Sequence, residues 1–397
     1  MNNQQIMGLG QQYLMPTYNR LPIALVKGEG AYVYDADGNK YLDFVAGVAV
    51  NALGHCYPAV VQAVREQAEK LLHCSNLYWI EPQVKLAQML VENSCFDKAF
   101  FCNSGAEANE AAIKLSRKYA KKNGFAQRYQ ILSMRNSFHG RTLATLTATG
   151  QDKCHAGFDP LPEGFAYAPF NDLAAVTAAV NDKTAAILLE PIQGEGGVLP
   201  AERQFLQGLR QLCDEKNILL IFDEVQVGCG RTGSLFAYQQ FGVEPDAITL
   251  AKALAGGLAI GALLVKEKAN VFVPGEHAST FGGNALATAA GCAAIGAMLE
   301  KDIPGQAKKT GAYFQKRLQE LCDRFDSLQQ VRGMGLLLGV CCDKPAAAVV
   351  AKCVEKGLLI NCTAGTVLRF VPPLIIGEAE VDQCIDILEA ALTECGF

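Results

Sequence analysis

Two apolar runs in this chain end in side chains that could do chemistry together. The run Ile218-Leu219-Leu220-Ile221-Phe222 delivers two carboxylates, Asp223 and Glu224, followed by Val225 and Gln226. The run Ala247-Ile248-Thr249-Leu250-Ala251 delivers Lys252 shortly before Gly256-Gly257. A lone lysine is usually a surface charge. Within an apolar stretch an ammonium is costly unless its pKa falls or the nitrogen forms an imine. A neutral amine beside an apolar ring is what Schiff-base chemistry requires. Asp223 stands at the C-terminal edge of a buried strand, where α/β proteins place ligands. There it could keep a cofactor's pyridine nitrogen protonated and make the ring an electron sink. The alternatives are a solvent-facing acid pair or a magnesium ligand. No GxxxxGK[ST] sequence supports a nucleotide triphosphatase.

A third signal is Asn103-Ser104-Gly105-Ala106-Glu107-Ala108-Asn109-Glu110, which joins a strand to a helix. Ser104 suits an N-cap and Glu107 the far side of a capping box. A glycine at a helix N-terminus also exposes amides to a phosphate, which the helix dipole favours. By contrast, Gly228-Cys229-Gly230-Arg231-Thr232-Gly233 matches GxGxxG without opening a helix, and the acids precede it. It reads as a flexible loop rather than a dinucleotide site.

These residues need a scaffold that brings strand ends together. Short apolar strands are expected at Lys98–Cys102, Tyr129–Met134, Ala185–Leu189, Ile218–Phe222, Ala247–Leu250 and Ile260–Val265. Helical spacing at Pro58–Leu72, Glu107–Lys121, Leu173–Val180 and Glu202–Glu215 alternates with them. That alternation predicts an α/β fold with a mostly parallel central sheet. Two strands, Ala31–Tyr34 and Lys40–Phe44, flank the turn 35–39. After Asn284 an Ala-rich helix leads to helices near 310–325 and 345–356, strands around 331–342 and 366–371, and a last helix, Glu378–Glu394. The expected division is an N-terminal segment, 1–50, joining a smaller domain; a large α/β domain, 51–288; and a smaller α+β domain, 289–397.

Composition narrows the function classes. Of the 397 residues 50% are hydrophobic and 19% charged, with a net charge of −5, enough to bury a large core. No basic stripe or polybasic tract suggests nucleic acid or a membrane surface. No apolar run reaches the ~18 residues that span a bilayer, and the start lacks a secretory pattern. A cytoplasmic location is therefore expected. The fifteen cysteines contain no CxxC pair and the five histidines no HExxH. Reduced core thiols and no metal are the expectation.

Taken in order, the motifs resemble the class III pyridoxal-phosphate aminotransferases, specifically the acetylornithine and ornithine subgroup. The similarity covers nearly the whole chain. It runs through Gly54-His55, Asn103–Glu107, Ser137-Phe138-His139-Gly140-Arg141-Thr142, Glu190–Gly197, Asp223–Gln226, Lys252, Ser279–Asn284 and Leu368-Arg369-Phe370. The resemblance implies the aspartate-aminotransferase fold (fold type I) and pyridoxal 5'-phosphate as cofactor. It implies that Lys252 carries the cofactor as a Schiff base and moves the proton. Asp223 would pair with the ring nitrogen and Gln226 with the ring hydroxyl, while Phe138 and Val225 would cover the two ring faces. Ser104, Gly105 and Ala106 would bind the phosphate, completed by Thr280 of a second subunit in a homodimer. For substrate, Arg369 would hold an α-carboxylate and Arg141 a distal one. Glu195 would mask Arg369 while an ω-amino donor is bound, and Ser279 and Tyr18 would lie near the substrate. Ala253, Ala285, Val227 and Cys229 depart from the family's frequent residues, none at a position of cofactor chemistry.

The expected reaction is ping-pong transfer of the terminal amine of N2-acetylornithine to 2-oxoglutarate. Other donors on the same scaffold are succinylornithine, ornithine, succinyldiaminopimelate and 4-aminobutyrate. An aminomutase or decarboxylase would not need Glu195 opposite Arg369. A non-catalytic binder would not need Lys252 and Asp223.

Overall fold

A computed structural model describes residues 1–397. Its centre is a seven-stranded sheet. From edge to edge the strands are Lys98–Cys102, Gly261–Val265, Ala247–Leu250, Leu219–Asp223, Thr184–Leu189, Gln130–Met134 and Phe165–Ala168. The pairings are parallel except those of Gly261–Val265, which is antiparallel to both neighbours. The middle strands are buried at every position. Helices therefore cover both faces, and continuous apolar runs, not alternation, are what such strands require.

Helices precede or follow the strands at Gly105–Lys122, Leu173–Ala179 and Arg203–Lys216. The helix Ala285–Glu300 is apolar on all sides and packs against Pro58–Lys70 and Glu81–Glu92. Its small residues allow the close approach: a side chain at Gly291 would meet Leu86 Cδ2 at 2.6 Å.

Beyond it, Leu328–Met334, Leu337–Cys342, Val367–Phe370 and Asn361–Thr363 form an antiparallel sheet that carries Arg369. The N-terminal strands Leu25–Glu29, Tyr32–Asp35 and Lys40–Asp43 form another, completed by Leu358–Leu359 lying parallel to Lys40–Asp43. The two ends of the chain thus share a sheet and one apolar core. No helix is long and apolar enough to cross a membrane.

Two expectations need correction. The glycine-rich segment 228–233 is not a flexible loop. Cys229, Arg231 and Thr232 are each 1% exposed. Arg231 pins the segment by donating to the carbonyls of Leu336 and Pro372, so a side chain fixes what backbone composition leaves free. The helix Asn3–Tyr13 and the strand Leu25–Glu29 were absent from the pattern reading. The helix is mostly exposed and the strand even more so, and neither shows a periodic apolar face.

Candidate active site

The C-terminal ends of the parallel strands surround a cavity of about 510 Å³. Each strand end adds a different group. Lys98–Cys102 leads to Asn103–Ala106, Gln130–Met134 to Phe138 and Arg141, and Thr184–Leu189 to Glu190. Leu219–Asp223 ends in Asp223, Val225 and Gln226, and Ala247–Leu250 in Lys252; all of these line the cavity.

Lys252 follows its strand in a left-handed conformation, φ 46°. A non-glycine residue there is strained, and such strain persists where the surroundings enforce it, most often at functional sites. Burial brings the amine down to about 8, and Arg369 adds to the fall. Glu195, Asp223 and Glu190 pull the other way. At neutral pH a useful fraction of the amine is therefore neutral and able to attack a carbonyl.

Asp223 is 3% exposed and its carboxylate is held by three contacts. Oδ2 accepts from Asn109 Nδ2 at 2.7 Å and pairs with His139 Nδ1 at 2.8 Å; Oδ1 accepts from the Val225 amide at 3.0 Å. Asn109 is fixed in turn, donating to the His139 carbonyl at 2.8 Å and accepting from Thr249 Oγ1 at 2.8 Å. Glu224 points away and caps the amides of Ala237 and Tyr238, at 2.6 and 2.8 Å. One acid of the pair thus faces the cavity and the other supports the fold.

Ser104 caps the helix Gly105–Lys122, its Oγ accepting from the Glu107 amide at 3.2 Å. The expected reciprocal box does not close. Glu107 reaches one residue further, to Asn103 N and Nδ2 at 2.7 and 2.9 Å. The amides of Gly105 and Ala106 meet no protein acceptor. A side chain at Gly105 would sit 2.8 Å from Val225 Cγ1, so glycine keeps this helix start open against the opposite wall.

Arg369 is 1% exposed and donates from Nη1 to Glu195 Oε1 at 2.5 Å and Gln226 Oε1 at 3.2 Å; Nε reaches Asn361 Oδ1 at 3.1 Å. Burial is the largest single influence and would raise the Glu195 carboxyl, but the charge and hydrogen bond of Arg369, with help from Lys252 and Gln226, together outweigh it and hold the group low. The Glu195 side chain keeps about a third of its surface open, 32%, whereas Arg369 keeps 1%. The acid is therefore the partner free to move. Arg141 is exposed at the cavity edge, 5.5 Å above the Phe138 ring, with no acidic partner. Val50 enters the cavity from a run of left-handed residues, Ala46 to Ala49, whose first amide donates to Asp43, itself paired with His55.

Three sequence candidates lie elsewhere within one chain. Ser279 and Thr280 line a separate cleft with Leu77 and Trp79, and Thr280 is exposed. Ser279 does touch the site's edge, its Oγ accepting from Asn103 Nδ2 at 3.1 Å. Tyr18 is 74% exposed and stacks only with Arg20. Asn109, His139 and Glu190 stand within the sequence motifs, but sequence reasoning gives them no role. The available hint was Asn109, a polar residue on the buried face of an otherwise Ala-rich helix.

The donor set suits one kind of molecule: a flat heterocycle with a basic nitrogen, a carbonyl and a phosphate. A buried carboxylate waits for the nitrogen, a poised amine for the carbonyl, and a glycine-opened helix start for the anion.

The family description "Aminotransferase class-III" matches residues 13–392. The chain is 54% identical over 388 residues to the acetylornithine aminotransferase of Caldanaerobacter subterraneus subsp. tengcongensis, covering 98% of this chain and 99% of that one. It is 51% identical over 395 residues to the acetylornithine aminotransferase of Methanocaldococcus jannaschii, covering 99% of each. Among solved structures it is similar to the ornithine aminotransferase of Toxoplasma gondii, at 33% identity and TM-score 0.96, covering 100% of this chain and 96% of that one.

Proposed function

The chain belongs to the class III aminotransferases, and on that premise we propose that it moves the terminal amine of N2-acetylornithine to 2-oxoglutarate, giving N-acetylglutamate 5-semialdehyde and glutamate for arginine biosynthesis. It is a pyridoxal-phosphate enzyme. Bound there, pyridoxal phosphate supplies an electron sink for the negative charge that develops on the carbon bearing the amine. Lys252 would hold it covalently, Asp223 would face its ring nitrogen and Gln226 its hydroxyl. Phe138 and Val225 would flank the ring, and Ser104, Gly105 and Ala106 would take the phosphate. Lys252 Nζ removes the proton from the donor's amine-bearing carbon. In the second half-reaction it delivers one to the carbonyl carbon of the oxo acid.

The observation that carries this reading is the Arg369–Glu195 pair. An ω-amine donor has no carboxylate next to its reacting carbon, whereas 2-oxoglutarate has one. With Glu195 in place, Arg369 is neutralised and the donor's chain can pass. With Glu195 swung out, the guanidinium fork is free for the α-carboxylate. Arg141, unpaired at the rim, takes the distal carboxylate of either substrate. Of the cavity's acids, Glu190 is bonded at both oxygens and Asp223 is committed to the ring nitrogen, so no free carboxylate awaits the α-ammonium of unmodified ornithine. An acylated nitrogen is neutral and needs none.

Loaded enzyme mixed with each amine, without oxo acid, is expected to change cofactor absorbance faster with N2-acetylornithine than with ornithine or 4-aminobutyrate. The reverse order contradicts the donor assignment. Glu195→Gln should lower KM for 2-oxoglutarate about tenfold and the donor's kcat/KM about a hundredfold, the range of one to two charge-assisted hydrogen bonds. No change in either would remove the gate.

A homodimer fits the same reading. Leu77, Tyr78, Trp79 and Phe281 are 83%, 68%, 93% and 61% exposed, an apolar surface beside Thr280 that invites a partner. A second copy would cover it and bring its own Thr280 to the phosphate site. Trp79→Glu should migrate at the mass of one chain, 42.5 kDa, and lose most activity; a fully active single chain would contradict this. We place the reaction in the cytoplasm, in keeping with fifteen free cysteines.

A further inference from the structure

Glu190 is a buried carboxyl to which the transamination chemistry gives no task. It follows the strand Thr184–Leu189, is 5% exposed, and lines the cavity. Both of its hydrogen bonds are to backbone amides. Oε2 accepts from Phe138 N–H at 2.9 Å and Oε1 from Gly194 N–H at 3.2 Å.

Those two amides belong to different loops. Phe138 follows the strand Gln130–Met134 and lines the cavity; Gly194 immediately precedes Glu195, whose side chain lies on Arg369. Away from Glu190 the same loops are already tied by Gln193 Nε2 to the Arg135 carbonyl at 2.8 Å. Gly194 also packs so closely on Gln226 that an added side chain would lie 2.1 Å from its Oε1. A bridge for folding alone therefore exists without Glu190. Only an ionised carboxylate accepts at both of its ends. A glutamine, or a protonated glutamic acid, turns one end into a donor facing an N–H.

We infer that Glu190 is a positioning residue whose two oxygens fix the Phe138 loop and the Glu195 loop against one another, so that the ring-facing residue and the substrate gate are set as one unit. This rests on the roles given above to Phe138 and Glu195. Burial pushes the Glu190 carboxyl up to about 7, opposed by His139 and reinforced by Asp223. The ionisable groups around it are His139 on the Phe138 loop, Asp223 after Phe222, Lys252 across the cavity, and Glu195 on its own loop, which is engaged with Arg369. Above that pH both ends accept fully; below it the proton, exchanging between the two oxygens, weakens both ends at once.

The test is residue-resolved hydrogen exchange on the loaded enzyme and on the cofactor-free chain, alongside the kinetics of both half-reactions. In the native sequence, protection of the Phe138 and Gly194 amides should fall together with a midpoint near pH 7. The fall should be about tenfold, the loss of one hydrogen bond. The Leu220 amide, held by Asp246 at 2.8 Å, should not follow. Glu190→Gln should show the low-pH pattern at every pH and raise KM for 2-oxoglutarate about tenfold, with Glu190→Asp recovering part of both. Unchanged protection of both amides in folded Glu190→Gln overturns the inference. So does lost protection with KM and kcat unaltered in both half-reactions. If Glu190→Gln does not fold, the pH series on the native sequence decides: amides that titrate separately, or not at all, overturn the bridge. Failure of the underlying reading looks different. Phe138→Leu and Glu195→Gln would then leave both half-reactions unchanged while the amides still follow Glu190.

Discussion

Lys252→Ala is expected to lower the rate of the donor half-reaction by about 10⁴-fold or more, because one side chain acts both as covalent holder and as proton carrier. Binding of pyridoxal phosphate should weaken but persist, since Asp223, Gln226 and the helix start at Gly105 are untouched. Arginine in its place should be no better, as a permanently charged group cannot take a proton. The native residue should also show a pH signature in the cofactor-free chain. Its amine lies at about 8 instead of the ordinary 10.5. At pH 7 about a tenth of it is neutral, against about three in ten thousand for an ordinary lysine. Loading with pyridoxal phosphate should therefore accelerate through a midpoint near pH 8. The linkage has a definite sign. A buried ammonium opposes folding below the folded value, and that penalty fades as pH rises from about 8 toward 10.5. The cofactor-free chain should gain stability across that window. A flat profile, with loading that tracks an ordinary lysine, would mean that the amine is not buried as described.

Asp223→Ala should reduce both half-reactions by about a thousandfold, the scale of losing a preorganised charge aimed at the reacting system. The loss should appear in kcat for every donor and for 2-oxoglutarate alike, because the carboxylate faces the ring and not the substrate. Asp223→Asn separates charge from packing. Its oxygen can still accept from Asn109 and His139, but its amide then points a donor at the Val225 N–H, which now donates to Oδ1 at 3.0 Å. Most of the rate should be lost with Asn as well. A variant that keeps its rate while losing only cofactor affinity would reduce Asp223 to an anchor. Removing His139 or Asn109 should have a smaller effect, since each supplies one of three contacts to the carboxylate.

How much of this was legible in the sequence depended on whether a residue's role is local. The strands bearing Asp223 and Lys252 are buried on both faces, so their apolar runs and abrupt polar ends mark themselves. Gly105 stands out because it follows a capping serine at a strand-to-helix junction. Asn109, His139 and Glu190 do not, because their meaning comes from contacts 114, 84 and 52 residues away. The segment 228–233 misled for the same reason. Its glycines suggest freedom, but Arg231 spans 105 residues to the Leu336 carbonyl and removes it. The capping box failed by one residue, because Glu107 satisfies the amide of Asn103 instead of that of Ser104. Thr280 and Tyr18 lie outside the cavity of a single chain.

The most direct measurement is to reduce the pyridoxal-phosphate-loaded protein with borohydride, digest it, and find the modified lysine by mass spectrometry. One adduct per chain is expected, on the peptide containing Leu250-Ala251-Lys252, and it should disappear when the protein is first exposed to N2-acetylornithine. An adduct on any other lysine, or one at Lys252 that survives the donor, would contradict that expectation.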